Sequence, residues 1–359
     1  MISKYFSTID SNYTHAIQNS LDDMMNSEEI GKNSRVVVLV DFSAGHRSLE
    51  SGVMVDPNLI FKIVSKINKK FHPKNIYIGG SENNFDLNDL FKRLGYYSYA
   101  KVNKNVAIVN FSKTEEVKYL NESKESILKI ASIPELLALS DYVVLFSTLK
   151  RNVYEKYSGC TYSLADFLIN PTFKEDALAF SKDTIYDLYE YAKPGLSILD
   201  ARYSLESLGP IQGDVKKTNF VLMGTNPLIV DKHACNIIGQ KVEKVTHLKK
   251  LIKKYELPII ENSSFVTLKN IKGIEYFLFR VSRLFKKIKL YMRNISTLFY
   301  LGTLAIVSIG GRDLLAGKWM SFSGYYKIIK TILFKLEEDG NLLEWKITIN
   351  KHVKEETLS

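Results

Sequence analysis

Cysteine is scarce: the 359-residue chain holds two, Cys160 and Cys235, far apart in sequence. Two thiols cannot build a disulfide framework, and neither a four-cysteine zinc site nor an iron–sulfur cluster can form from this chain alone, so no iron–sulfur cluster is expected. A reducing compartment suits such a composition. The first ten residues also lack the apolar core of a secretory leader, because polar residues and Asp10 interrupt them. The expectation is a cytoplasmic protein. No internal repeat is evident, and no stretch resembles a known RNA- or DNA-reading motif, so no specific nucleic-acid partner is expected despite a net charge of +10. Acids are missing from one window in particular. Six of the ten excess positive charges, among them Arg280, Arg283, Lys286 and Lys287, lie between Arg280 and Arg293 with no carboxylate among them.

What the chain does have is apolar surface to bury, with 45% hydrophobic and 12% aromatic residues, enough for one large domain or two moderate ones. Residues 35–41 form a run of β-branched side chains without polar alternation, the mark of a strand covered on both faces. Residues 57–70 follow with helical spacing of Ile60, Ile63, Val64 and Ile67, Asp56 at the N-cap and Pro57 at the first helical position. The alternation continues through strands at 75–79, 106–110 and 142–146 and helices near 87–94 and 134–140. It resumes with a helical stretch at 174–191, strands at 196–200 and 219–223, and helices at 227–238 and 242–255. This rhythm predicts an α/β fold of mostly parallel sheet flanked by helices, with room for two α/β lobes. Residues 1–34 read as a helical lead-in, 35–256 as the α/β core, and 257–359 as a basic, mostly helical C-terminal appendage.

A second feature is the succession Ile198-Leu-Asp200, Glu206, Leu208-Gly-Pro210 and Gly213, then Val221-Leu-Met-Gly-Thr-Asn-Pro227, Asp231 and Ile237-Ile-Gly239. It resembles the pattern of the family catalogued as domain of unknown function 362, over roughly residues 35–255 and most closely over 196–239. Ile78-Gly-Gly-Ser81, Gly95-Tyr96 and Ser140-Asp-Tyr-Val-Val-Leu agree more loosely. The chain looks like a divergent member. After the strand ending at Phe146 the family carries a Pro-Lys-x-Lys-Thr-His-like segment, where this chain has Ser147-Thr-Leu-Lys150-Arg-Asn152. The family's later Lys-Asn pair is replaced by Ala165-Asp166, and its Lys-Pro-Asn after the first strand by Asp41-Phe-Ser-Ala-Gly-His46-Arg47. The four-cysteine ferredoxin-like module of many relatives is absent as well.

Candidate chemistry follows from where these residues should fall. In an open parallel sheet, ligands bind outside the carboxyl ends of the strands. Asp41, Gly79 to Ser81, Lys150, Asp200 and Gly224 to Asn226 are all expected at such ends. Asp200, Glu206 and Lys150 are the catalytic candidates, and Gly209, Gly213, Ser81, Asp41, His46 and Arg47 the ligand-binding ones. If both face one crevice, Asp200 and Glu206 can share a divalent metal or divide acid and base roles. They equally suit capping of neighbouring helices or pairing with Arg202 and Lys216. Asp231 lies early in its helix, where a carboxylate complements the dipole. It forms no metal set with His233 and Cys235, because helix residues two apart point to different sides.

The appendage poses a separate question. Ile274, Phe277, Leu278, Val281, Phe285, Ile288 and Met292 follow helical spacing opposite the basic residues, the pattern of either a packed helix or an interfacial one on an anionic membrane surface. Residues 295–309 are largely apolar but cover only roughly 23 Å as a helix, short of a hydrocarbon core of roughly 30 Å. Two functional classes stay open: an enzyme acting on a small anionic metabolite or sugar-like compound, and a non-catalytic ligand-binding or accessory protein. The second would dock on a partner, or peripherally on the inner membrane face, through Arg280, Arg283, Lys286 and Lys287.

Overall fold

The computed structural model describes residues 5–8, 21, 30–42, 48–82, 85–120, 128, 130–152, 155–170, 174, 177–178, 180–207, 209–211, 213–255, 257 and 266–269. The chain divides into two compact units, Met1–Tyr119 with Ser132–Lys272, and Leu120–Ala131 with Gly273–Ser359. The first runs past the boundary expected near 257, since residues 266–269 belong to it. The helices expected at 274–292 and 295–309, with Arg280, Arg283, Lys286 and Lys287, lie outside the described residues, as do His46 and Arg47.

In chain order the strands are β1 (Tyr5–Thr8), β2 (Arg35–Val40), β3 (Asn75–Gly80), β4 (Val106–Asn110), β5 (Glu116–Leu120), β6 (Ile130–Pro134), β7 (Tyr142–Lys150), β8 (Leu196–Glu206) and β9 (Asp214–Gly224). The helices are α1 (Pro57–Phe71), α2 (Leu87–Arg93), α3 (Tyr96–Val102), α4 (Glu135–Ala138), α5 (Cys160–Ser163), α6 (Ser181–Ala192), α7 (Pro227–Ile237) and α8 (Lys249–Lys254). The fold is α/β. One seven-stranded sheet in the order β1-β9-β8-β7-β2-β3-β4 takes up every strand that the βα rhythm predicts, and β5 pairs with β6 in a separate ribbon. From β8 to β4 all neighbours are parallel.

Two departures from the sequence reading shape this sheet. Residues 5–8, in the stretch expected to be a helical lead-in, form an edge strand instead, with Tyr5 opposite Gly224 and Thr8 opposite Val221. The strands expected at 196–200 and 219–223 are longer than their apolar runs and join as a hairpin, Ser197 opposite Gly224 and Glu206 opposite Asp214. A connection this short excludes the parallel crossover, which needs a dozen or more residues. The expected helix over 242–255 is also reduced to α8, preceded by a 3-10 turn at Val242–Lys244. The β-branched Val242, Val245 and Thr246 are poor helix formers, which accounts for the shortening.

The core sits between the sheet and the helices that follow its strands. Val36, Val38, Val40, Ile78, Val144, Phe146 and Ile198 from the strands meet Ile60, Ile63, Val64 and Ile67 from α1, all buried. Each such side chain favours folding by roughly 1.5–3 kcal/mol. The start of α1 follows its sequence signals: Asp56 accepts from the Asn58 amide at 2.8 Å and Pro57 opens the helix. Phe42, just past β2, packs edge-on against Phe91 and Tyr96 at centroid distances of 5.3 and 5.8 Å.

The Gly79-Gly80 pair at the end of β3 allows a close approach. A Cβ on Gly79 would lie 2.0 Å from the Val109 carbonyl oxygen, and one on Gly80 2.7 Å from that of Val40. Both obstacles are backbone and cannot swing aside. Gly79→Ala should therefore lower stability in urea unfolding by about 1–3 kcal/mol. Gly31→Ala, where nothing lies within 4 Å, should change it by less than about 0.5 kcal/mol; equal effects would contradict this packing.

Candidate functional site

The parallel register places the ends of β2, β3 and β7 along one edge. Val40 is opposite Phe146, Phe146 opposite Ile198 and Leu39 opposite Gly79. The Asp41 amide donates to the Phe146 carbonyl at 3.0 Å, which fixes the first residue past β2 against its neighbour. Here the Lys150 ammonium meets the Asp41 carboxylate at 2.5 Å, with side chains only 2% and 9% exposed. Ser147 Oγ donates to the same Asp41 oxygen at 3.3 Å. All nine residues of β7 are buried, so the ammonium is carried into the interior on an apolar strand.

A second pair stands beside the first. Ser81 Oγ donates to the Asp166 carbonyl, and the Asp166 carboxylate pairs with Lys174. Burial pushes the Asp166 carboxyl above its ordinary range; Lys174 and Lys150 pull it back and Asp41 pushes it further up. Asp166 thus senses its own partner Lys174 and both members of the Asp41–Lys150 pair. Desolvating such charges costs several kcal/mol per ion, so a cluster of this kind is poor stabilising material and a reasonable place to seek function.

The other predicted residues do different work. Asp200 is held by Arg202 through three contacts of 2.7 to 3.2 Å, and it accepts from the Asp56 amide at 3.3 Å. Arg202 also reaches Asp56 Oδ2 at 2.9 Å. Pairing with Arg202 is therefore what the structure assigns Asp200, and the pair braces the start of α1. Glu206 lies within β8, not in the loop after it, and accepts the Lys269 amide at 2.8 Å. Lys216 bonds the Thr267 carbonyl at 2.7 Å, not Glu206. Asp200 and Glu206 are thus committed to separate partners. Among the described residues no group of three or more His, Cys, Asp or Glu side chains is placed to hold a metal ion.

Gly209 lies against the Arg151 backbone, where a Cβ would come within 1.8 Å of the carbonyl oxygen, and Gly213 has φ of 144°. Both serve the hairpin end. Gly224 to Asn226 fall away from the Asp41 edge altogether: β9 is antiparallel, so its end lies beside the start of β8. There Asn226 caps α7, accepting from the Leu228 amide at 2.9 Å.

Asp231 complements a helix dipole, but not that of its own helix. Its carboxylate accepts the Cys160 and Thr161 amides at 2.9 and 2.8 Å, the Thr161 hydroxyl at 2.5 Å and the Tyr157 hydroxyl at 2.7 Å, and so caps α5. Burial raises its pKa, while the Thr161 and Tyr157 bonds draw it down. The sequence reading missed Ser147, Asp166 and Lys174. Ser147 follows the point where the apolar run stops, Asp166 sits in a segment without strand or helix periodicity, and Lys174 reads only as the start of a helical stretch.

The family model for the domain of unknown function (DUF362) matches residues 36–236. A search of curated proteins finds no match. Among solved structures, the lactate racemase apoprotein from Thermoanaerobacterium thermosaccharolyticum is similar at 12% identity and a TM-score of 0.41, over 63% of this chain and 54% of that one. The chain thus spans about half the length of that structure. No helix among the described residues is long and apolar enough to cross a membrane.

Two outcomes follow from the buried carboxyls. Asp231→Asn turns an amide NH2 toward donors that have no other acceptor in its place, and should cost about 1–3 kcal/mol in urea unfolding; an unchanged midpoint would contradict the cap. Asp166 has a folded pKa raised above its ordinary 3.8, so the folded state holds the proton more tightly. Its contribution to stability is fully present below the unfolded pKa and is lost as pH rises through the folded one. Stability measured across that window should fall with rising pH more steeply in the wild type than in Asp166→Asn, and parallel profiles would contradict the shift.

Proposed function

The chain belongs to the DUF362 family, and from that footing we propose that it is an enzyme acting on a small anionic metabolite at the carboxyl edge of its parallel strands. The observation that carries this reading is the buried Lys150–Asp41 pair at the ends of adjacent strands. Lys150 supplies the positive charge for a carboxylate or phosphate, and Asp41 orients its ammonium with help from Ser147. Asp166, whose proton affinity burial raises, is suited to exchange a proton with the bound molecule.

Two physical points support the assignment. Ligands of open α/β sheets bind at this edge because loops leave there toward the helices and create a recess. A buried ion pair, for its part, is often replaceable by apolar side chains without loss of stability, so its presence favours a role other than holding the fold. Asp200 and Glu206, engaged with Arg202 and the Lys269 amide, have no part in the proposed chemistry.

The test is a thermal-shift and calorimetric screen of small carboxylates and phosphates, followed by variants. Lys150→Met should weaken any ligand so found by at least about 30-fold, equivalent to roughly 2 kcal/mol for one desolvated charge contact. Asp200→Asn should bind within about threefold of wild type, as expected of a surface-like effect below roughly 0.7 kcal/mol. Full-strength binding by a folded Lys150→Met protein would sink the proposal.

A further inference from the structure

Glu206, Gly209 and Arg151 remain outside the proposed ligand site, yet they meet at one surface where residues 266–269 cross the end of the β8–β9 hairpin. The Val266 amide donates to the Ile237 carbonyl at 3.2 Å, just where α7 ends. The Thr267 carbonyl accepts from Lys216 Nζ at 2.7 Å. The Leu268 carbonyl accepts from an Arg151 guanidinium nitrogen at 2.9 Å. Lys269 is held twice, its amide by Glu206 Oε2 at 2.8 Å and its carbonyl by the Ser207 amide at 3.0 Å.

Every residue of this short segment is therefore gripped by its backbone. Its side chains matter far less, Leu268 excepted, which is 1% exposed. The Lys269 side chain is 77% exposed, and its ammonium stands 3.8 Å from Glu206, a distance at which little is gained in water. The grip itself is rigidly built. Arg151 is buried and braced by Gln240 Oε1 at 2.7 Å, and its own carbonyl is backed by Gly209, where any side chain would collide. Burial lowers the pKa of Arg151, and the Glu206 charge nearby offsets that.

We propose that Glu206, Ser207, Arg151 and Lys216 form a clamp for a peptide backbone, occupied by the chain's own residues 266–269, which latches that segment to the hairpin. Backbone recognition explains why a carboxylate, an arginine and the Ser207 amide converge beside a glycine. A carboxylate accepts an amide proton, the guanidinium and Ser207 amide donate to carbonyls, and the absent Cβ of Gly209 lets the loop close on Arg151. This is the arrangement by which extended segments are read through their main chain.

Hydrogen exchange on the full-length protein tests the latch. Glu206→Ala should speed exchange of the Lys269 and Ser207 amides by about tenfold or more, because losing a charged acceptor lowers the local opening free energy. Amides of the central strands β2 and β7 should keep their wild-type rates. Glu206→Gln, which keeps an acceptor oxygen, should restore most of the protection, and Lys269→Ala should change little, because only the backbone is read. Leu268→Ala gives an independent reading and should loosen the same amides. Wild-type exchange in Glu206→Ala, equal acceleration throughout the sheet, or loss of protection in Lys269→Ala would each overturn the proposal.

Discussion

The alignment of β2 with β7 governs what the rest of the first unit can do. Val40 sits beside Phe146, and the Asp41 amide bonds the Phe146 carbonyl at 3.0 Å, so Asp41 has no freedom to leave the edge to which β7 delivers Lys150. A slip of one residue would turn every side chain of one strand to the opposite face. Both faces are apolar and buried from Val36 to Val40 and from Val143 to Phe146, so the contacts of Asp41 with Lys150 and Ser147 are what distinguish the observed register. Packing thereby holds two charges together in a place where water does not solvate them.

Four of the buried carboxylates in this unit have separate sets of donors. Asp41 has Lys150 and Ser147, Asp200 has Arg202, Glu206 has the Lys269 amide, and Asp231 has the cap of α5 with Tyr157. Three of these arrangements bind protein to protein: the start of α1, the strap over the hairpin and the short helix after β7. The Asp41 set differs because it lies at strand ends beside a second charged pair, Asp166 with Lys174. Charge placed there does little for the fold that apolar side chains would not do as well.

Much of this was legible in the sequence where one signal dominated. Uninterrupted β-branched runs marked β2 and β7, and Asp56 with Pro57 marked the start of α1. The Gly79-Gly80 pair stood where strand and neighbour nearly touch. Legibility ended where structure depended on partners distant in the chain. The outer halves of β8 and β9 mix polar residues such as Arg202, Ser204, Lys216 and Lys217, so neither apolar runs nor spacing reveals a hairpin, and Glu206 lies six residues beyond the expected end of its strand. Asp200, expected at a strand end, lies inside β8, where Arg202, two residues on, claims it. Asp166 gives no periodic signal and Lys174 reads only as a helix start, because tertiary contact alone joins Asp166 to Ser81 and to Lys174.

The central claim is that the Lys150 end of the sheet receives a small anion. A crystal structure of the full chain grown with selenate reads this directly, because selenium marks the anion by anomalous scattering. The account predicts an anomalous selenium peak at the edge formed by Asp41, Ser81 and Ser147, with a selenate oxygen within hydrogen-bonding distance of Lys150 Nζ. Selenate bound only elsewhere, with Lys150 still enclosed against Asp41, would contradict it.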